Sequence, residues 1–323
     1  MTVTEHPPRA SGVLVVVVTY NNAEHLDALL QSILAQDIAV PARTVVVDNG
    51  SSDETVAIAR REGVTVIETG ENLGYSGAIN VARGQLRPGE ALAVLNPDLV
   101  VSAGAFDRLL TALDDQTVGI AVPQLRNGDG SLYTSLHTEP TVINALGEAL
   151  FGAHLANRPH WLGDTLRRAD DYARDRDVAW ASGAALLVAP DCDAQVGSWD
   201  SETYFLYSEE MDYARRTRDA GYRIRYLPEA EAIHIGGGSG RSPRLAALLE
   251  VNRIRYFSAH HSRLATALFR SAVALQYLAR SWKRENQFVA RVVCTRSLWA
   301  TLPPALEPQQ QPAAPAAPPM PTA

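Results

Sequence analysis

Leu92-Ala93-Val94-Leu95-Asn96-Pro97-Asp98 is the stretch from which the fold of this 323-residue chain is read. An apolar run that stops at a polar corner is the pattern of a buried strand reaching the edge of a parallel sheet. Pro97 has no N–H for a ladder, so pairing ends there and Asn96 and Asp98 fall at the rim. In open α/β sheets ligands bind outside the carboxyl ends of the strands. A carboxylate at that rim suits Mg²⁺ or Mn²⁺ against a diphosphate, because hard divalent ions prefer oxygen ligands. Taken alone, the same residues also describe a strand followed by an Asx-Pro turn. The flanking sequence decides.

Upstream, the β-branched run 13–19 reads as a central strand ending in Thr19-Tyr20-Asn21-Asn22. Leu26, Leu29, Leu30 and Ile33 then give helical spacing over His25 to Gln36. A second strand, Thr44 to Val47, ends in Asp48-Asn49-Gly50-Ser51-Ser52-Asp53, a turn leading into a helix from about Glu54 to Arg61. Val64 to Glu68 is a third strand, followed by Asn72-Leu73-Gly74-Tyr75-Ser76-Gly77 and a helix from about Ala78 to Leu86. This alternation is that of βαβ units, hence a mostly parallel sheet with flanking helices. Its strand ends share one edge and form a crevice. There Asp48 can accept hydrogen bonds from a base or ribose, and Gly74 and Gly77 let backbone approach a phosphate beside a helix N-terminus. No Gly-x-Gly-x-x-Gly follows the first strand, which argues against a nicotinamide enzyme.

Composition has an ordinary soluble globular balance: 46% hydrophobic, 20% charged, and only Cys192 and Cys294. Two cysteines make neither a disulfide framework nor a metal spacing, which implies a reducing, cytoplasmic compartment. The N-terminal residues show no signal-peptide pattern, and no apolar run reaches the roughly 20 residues of a bilayer span. The net charge of −7 is uneven, since residues 241–300 carry eleven Arg or Lys against two Glu. A basic segment on an acidic body points to an anionic surface or substrate, or to a solvated helix face.

The motifs 17–21 (Val-Val-Thr-Tyr-Asn), 47–53, 72–77 and 95–98, in this order and spacing, resemble the nucleotide-binding half of a family 2 glycosyltransferase with the GT-A fold. Within that family the chain is most similar to bacterial rhamnosyltransferases that use dTDP-L-rhamnose. The resemblance implies an α/β GT-A catalytic domain over 11–240, divided into a nucleotide-binding half (11–100) and an acceptor half (101–240). A flexible stretch 1–10 precedes it; a basic helical segment 241–301 and a disordered Pro/Ala-rich tail 302–323 follow. It assigns the nucleotide-sugar to Thr19, Tyr20, Asn21, Asp48, Asn49, Ser51, Asn72, Gly74, Tyr75, Asn80 and Asn96. It gives the metal, Mg²⁺ or Mn²⁺, to Asp98, where Asn-Pro-Asp replaces the family's Asp-x-Asp, and to His234.

Downstream, a helix is expected over 102–115, a strand over 118–122 and a hairpin-like connection from Pro123 to Thr134. Residues 137–177, broken by glycine and proline, read as a mobile insert or a surface loop. Trp180 to Val188 is a strand; in the resembling enzymes such a strand, here with Trp180, Ser182 and Gly183, lines the sugar and acceptor pocket. Gly183 also fits simple tight packing. Ser208-Glu209-Glu210-Met211-Asp212 reads as a capped helix start, where acids serve the helix dipole. An inverting transfer also needs a carboxylate to take the acceptor hydroxyl's proton. The resemblance places that base on Glu210, with a Glu where the family has Asp. Glu209 is the second choice, and Asp212 orients the helix or substrate. Gly236 to Gly240, with Arg241 or Arg244, would serve a diphosphate, and a flexible active-site flap is the other reading of these glycines.

From Leu245 the pattern is helical. Leu264, Leu268, Phe269, Leu275, Leu278 and Trp282, interspersed with arginines, suit a membrane interface, the catalytic body or a second subunit in a homodimer. The expected partners are a nucleotide-diphospho-sugar and a glycan or polyprenyl-diphosphate-linked acceptor, with peripheral membrane contact and without nucleic acid. A UDP-sugar donor, a nucleotidyltransferase and a non-catalytic nucleotide-sugar-binding module remain as alternatives.

Overall fold

The structure, a computed structural model, describes residues 8–152, 159–235 and 242–303. The first half alternates β1 (Gly12–Thr19), α1 (Ala23–Leu34), β2 (Ala42–Asp48), α2 (Thr55–Arg61), β3 (Thr65–Glu68), α3 (Gly74–Arg83) and β4 (Glu90–Leu95). β5 (Leu99–Val101), α4 (Ala105–Leu113), β6 (Val118–Asn127), β7 (Leu136–His137) and α5 (Val142–Phe151) follow. Then come β8 (Arg176–Val178), β9 (Trp180–Ala181), β10 (Ala185–Val188), α6 (Pro190–Val196), α7 (Glu209–Asp219) and β11 (Arg223–His234). Three helices close the described chain: α8 (Pro243–His260), α9 (Arg263–Leu278) and α10 (Arg284–Cys294).

The main sheet runs β3-β2-β1-β4-β10-β6-β11-β5, with β8 also paired to β11. β3, β2, β1 and β4 are parallel, as the βαβ alternation requires. Every residue of β1 and β4 is buried, so both faces of the sheet are covered there. The register sets Thr19 opposite Asp48 and Asp48 opposite Glu68, which aligns the strand ends along one edge. β10 is inserted antiparallel beside β4, pairing Ala185 with Leu95. The turn before β10 therefore arrives at the edge where β4 ends.

Two stretches differ from expectation. β6 does not stop at Val122 but continues through Pro123 to Asn127. Proline is tolerated because the pairing with β11 is irregular there: Pro123 faces Leu227, and the ladder resumes at Gln124 with Glu231. The turn falls later, closed by Ser131 O accepting from Asn127 N and by the Arg126–Leu132 bridge. Residues 137–177 are not one open loop: they hold α5, capped by Thr141 Oγ1 accepting from Asn144 N, and α5 packs along α9. Asp164 in this stretch pairs at 2.8 Å with Arg253 of α8, and both are largely buried. A second core joins α5, α8, α9 and α10 and takes in Leu206 and Tyr207. The C-terminal helices are thus built onto α5 and the turn that precedes α7. Phe269, expected on an outer face, is fully buried and stacks on Phe257 with ring centroids 4.1 Å apart.

Candidate active site

The strand-end crevice is assembled from hydrogen bonds that cross between loops. Thr19 Oγ1 donates to Asp48 Oδ1 at 2.9 Å, and Asp48 Oδ2 accepts from Gly50 N and Ser51 N at 3.1 and 2.8 Å. Ser51 Oγ also donates to Asp48 and accepts from Asn21 N. Asp48 is almost wholly buried and its acceptor positions are filled from within the protein. It fixes the loops rather than presenting a free carboxylate to a base or ribose. Tyr20 N donates to Asn22 Oδ1, and Asn21, at a left-handed φ of 55°, accepts from Ser52 N. Asn49 Nδ2 donates to Gly74 O at 3.0 Å.

Several expected phosphate contacts have other uses. Asn72 Oδ1 accepts from Gly74 N, and Phe205 O accepts from Tyr75 N, so the first N–H groups of α3 are engaged. Gly74 (φ +75°) is required by the protein itself, since a Cβ there would lie 2.2 Å from Phe205 O. α3 begins at Gly74 rather than Ala78, so Gly77 lies within the helix. Asn80 is clamped to Trp199, donating to its carbonyl and accepting from its N–H at 2.8 and 2.9 Å. Asn72, Gly74 and Asn80 are therefore each engaged by partners within the protein.

What faces the crevice centres on Tyr75. Its hydroxyl donates to Asn96 Oδ1 at 2.9 Å and lies 3.3 Å from Gly183 O. Asn96 N donates to Ala184 O at 2.7 Å, joining the end of β4 to the turn before β10. Burial pushes the Tyr75 phenol well up, and the charges of Glu209, Glu210 and Asp98 add to it. The phenol thus feels the charge of acids from two sequence-distant motifs.

Beyond Asn96, Asp98 Oδ1 lies 3.1 Å from His234 Nε2, as β11 sets His234 opposite Leu99. Tyr133 meets the imidazole edge-on at 5.1 Å, and His234 Nδ1 is buried without a partner among the described residues. No cluster of three or more His, Cys, Asp or Glu that could hold a metal exists among the described residues. The pair still fits one divalent ion. Ligands about 2.1 Å from an octahedral Mg²⁺ sit about 3 Å apart, and such ions complete their shell with phosphate oxygens and water. Gly236 to Gly240 and Arg241 lie outside the described residues; Arg244 donates to Thr301 O, away from the crevice.

Glu209 and Glu210 open α7, which enters from a strained turn. Tyr207 and Ser208 are both left-handed, each at φ 71°. Ser208 occupies the cap position as expected, but its hydroxyl caps nothing: its Oγ is buried and unpaired among the described residues. The turn is held from α8, where buried Asn252 Nδ2 donates to Leu206 O at 2.9 Å and Tyr207 O at 3.1 Å. Burial raises Glu209 well above the ordinary carboxylate range, with the charge of Glu210 adding to it. Burial also raises Glu210, but the backbone N–H groups of Glu210, Gly183 and Ser208 pull the other way. One Oε2 of each acid is buried without a partner among the described residues. Gly183 packs on the Glu210 stem, where a Cβ would come within 3.2 Å of Glu210 Cβ.

Asp212, Trp180 and Ser182 are engaged within the protein. Asp212 pairs with Arg216 one turn along α7 at 2.8 Å, yet burial still raises it. Trp180 stacks on His137 at 3.8 Å and donates from Nε1 to Thr138 O. Burial lowers His137 to about 4, so it is neutral. Ser182 N donates to Ser135 O.

A protein-family model, "Glycosyl transferase family 2", matches residues 14–160. The chain is 35% identical over 243 residues to the N-acetylglucosaminyl-diphospho-decaprenol L-rhamnosyltransferase of Mycobacterium tuberculosis, covering 71% of this chain and 78% of that one. The chain belongs to glycosyltransferase family 2. This family 2 glycosyltransferase is also 24% identical to rhamnosyltransferase WbbL of Escherichia coli K12, over 71% of the chain and 86% of WbbL. Among solved structures it resembles the mannosyltransferase PcManGT of Pyrobaculum calidifontis, in complex with GDP-Man and Mn²⁺ (TM-score 0.56, 17% identity, 92% of this chain and 88% of that one). S. aureus TarS 1-349 with UDP-GlcNAc is also similar (TM-score 0.50, 18% identity, 90% and 79% covered). These likenesses show that the family 2 enzyme has the GT-A fold. Its sequence reading missed Asn252; the available signal is one amide on the apolar face of α8, four residues after buried Leu248.

Proposed function

We propose that the enzyme is an inverting rhamnosyltransferase that moves L-rhamnose from dTDP-L-rhamnose to a hydroxyl of a polyprenyl-diphosphate-linked sugar of the cell envelope. The observation that carries the mechanism is the buried Glu209–Glu210 pair, whose charges, with that of Asp98, act on the Tyr75 phenol that holds Asn96. The donor and acceptor follow from the mycobacterial relative, whose name states an N-acetylglucosaminyl-diphospho-decaprenol acceptor and L-rhamnose transfer.

Burial raises both acids, and the backbone N–H groups of Glu210, Gly183 and Ser208 favour the charged form of Glu210, which supports Glu210 as the base. Glu210 takes the proton of the acceptor hydroxyl as that oxygen bonds to the anomeric carbon. The bond from the anomeric carbon to the diphosphate breaks, and the nucleoside diphosphate leaves with the electron pair. A carboxylate whose proton affinity is raised toward working pH is a stronger base for this step. Asp98 and His234 would hold Mg²⁺ or Mn²⁺, which supplies positive charge against the departing diphosphate. Tyr75 fixes Asn96 at the rim by its hydrogen bond. Glu210→Gln should abolish transfer while keeping the thermal shift given by dTDP-rhamnose with Mn²⁺. Unchanged turnover would overturn the base, and a shift given only by UDP-sugars would overturn the donor.

A further inference from the structure

The large apolar side chains left exposed are concentrated on one part of the molecule. On α5, Ile143, Leu146 and Leu150 recur at helical spacing and are 40–66% exposed. On α9, Leu264, Leu268, Leu275 and Leu278 do the same at 42–73%. The two helices lie against each other, and Arg280 at the end of α9 donates to Ala149 O near the end of α5. Trp161 (60%) sits in the short turn that packs on α5 through Gly147, and Trp282 (74%) follows α9. Patches this broad on a soluble surface mark an interaction site.

We propose that the joined α5–α9 face docks on the surface of an anionic lipid bilayer, with both helices lying in the interface plane. Charge selects this occupant. Arg263 at one end of α9 and Lys283 and Arg284 at the other are exposed, in a segment of net positive charge on an acidic body. Basic residues flanking an apolar helical face suit anionic head groups, and tryptophan favours the same boundary. Two copies packed by this face would instead crowd like-charged rims together. No helix among the described residues is long and apolar enough to cross a membrane. Docking would deliver a lipid-linked acceptor to the crevice, and in that purpose the inference rests on the proposed function; binding itself does not.

The test is co-sedimentation of the full chain with phosphatidylglycerol-containing vesicles, with phosphatidylcholine vesicles as the comparison, and without donor or acceptor. Preferential binding to the anionic vesicles that weakens with salt is expected. Leu268→Glu/Leu275→Glu and, separately, Leu146→Glu/Leu150→Glu should each weaken it at least tenfold while melting as the wild type does. Equal binding by both double variants would overturn the proposal. So would a salt-stable dimer dispersed by the same substitutions with no vesicle binding. Because no sugar is transferred in this assay, its failure is separate from failure of the rhamnosyltransferase reading.

Discussion

Removing the Asn252 amide tests whether α8 sets the geometry of the turn that leads into Glu209 and Glu210. Its Nδ2 donates to Leu206 O and Tyr207 O, and its Oδ1 accepts from Arg255 Nη1 at 2.9 Å. In Asn252→Ala two inward carbonyls lose their donor, at about 1–3 kcal/mol each when no water replaces it. The turn is half-buried, so a total near the lower end, about 2–4 kcal/mol, is expected. The left-handed Tyr207 and Ser208 each store roughly 1–3 kcal/mol that relaxation would release. The freed turn would therefore shift, carrying Glu210 with it, and a displacement of about 1 Å can cost about 100-fold in rate. Denaturant unfolding gives the stability, and steady-state kinetics should show a fall in kcat with donor KM nearly unchanged. Asn252→Asp keeps the shape but sets a carboxylate against two carbonyls, and should lose at least as much kcat. A folded Asn252→Ala enzyme with wild-type kcat would refute the reasoning.

The raised acids predict a pH signature. A group whose folded-state pKa is raised contributes stability that is present below its unfolded pKa and is lost as pH rises through the folded value. Glu209→Gln should therefore raise the melting temperature at pH 8 and lose that advantage near pH 4; an equal difference at both would count against burial as the cause. The transfer rate should fall on acidification at a pH above the ordinary carboxylate range, and an acid limb at the ordinary value would remove Glu210 from the base role. His234→Ala should remove the Mn²⁺-dependent part of the donor-induced thermal shift and leave the metal-free part; an intact Mn²⁺ response would exclude His234 as a ligand.

The sequence by itself determined the βαβ alternation of the first hundred residues. Strand and helix periods are local, and an apolar run ended by Asn-Pro-Asp encodes both a buried strand and a polar rim within a few residues. Asp98, His234 and the acidic start of α7 stood out only through the family resemblance, since a lone strand-end His and first-turn acids have ordinary structural readings. Tertiary structure set the partners of the expected residues. Asn80 looks free to bind until Trp199, 119 positions away, takes both ends of its amide. Gly74 looks reserved for phosphate until Phe205 O occupies the space. Asn252 carries no local signal stronger than one amide on an apolar face, because its partners are carbonyls 45 and 46 residues earlier. The α5–α9 face needed the fold as well: each stripe is periodic in sequence, but only packing sets them side by side. Hydrogen bonds and contacts between remote segments leave no period to read, since the chain fixes them only when the whole core closes.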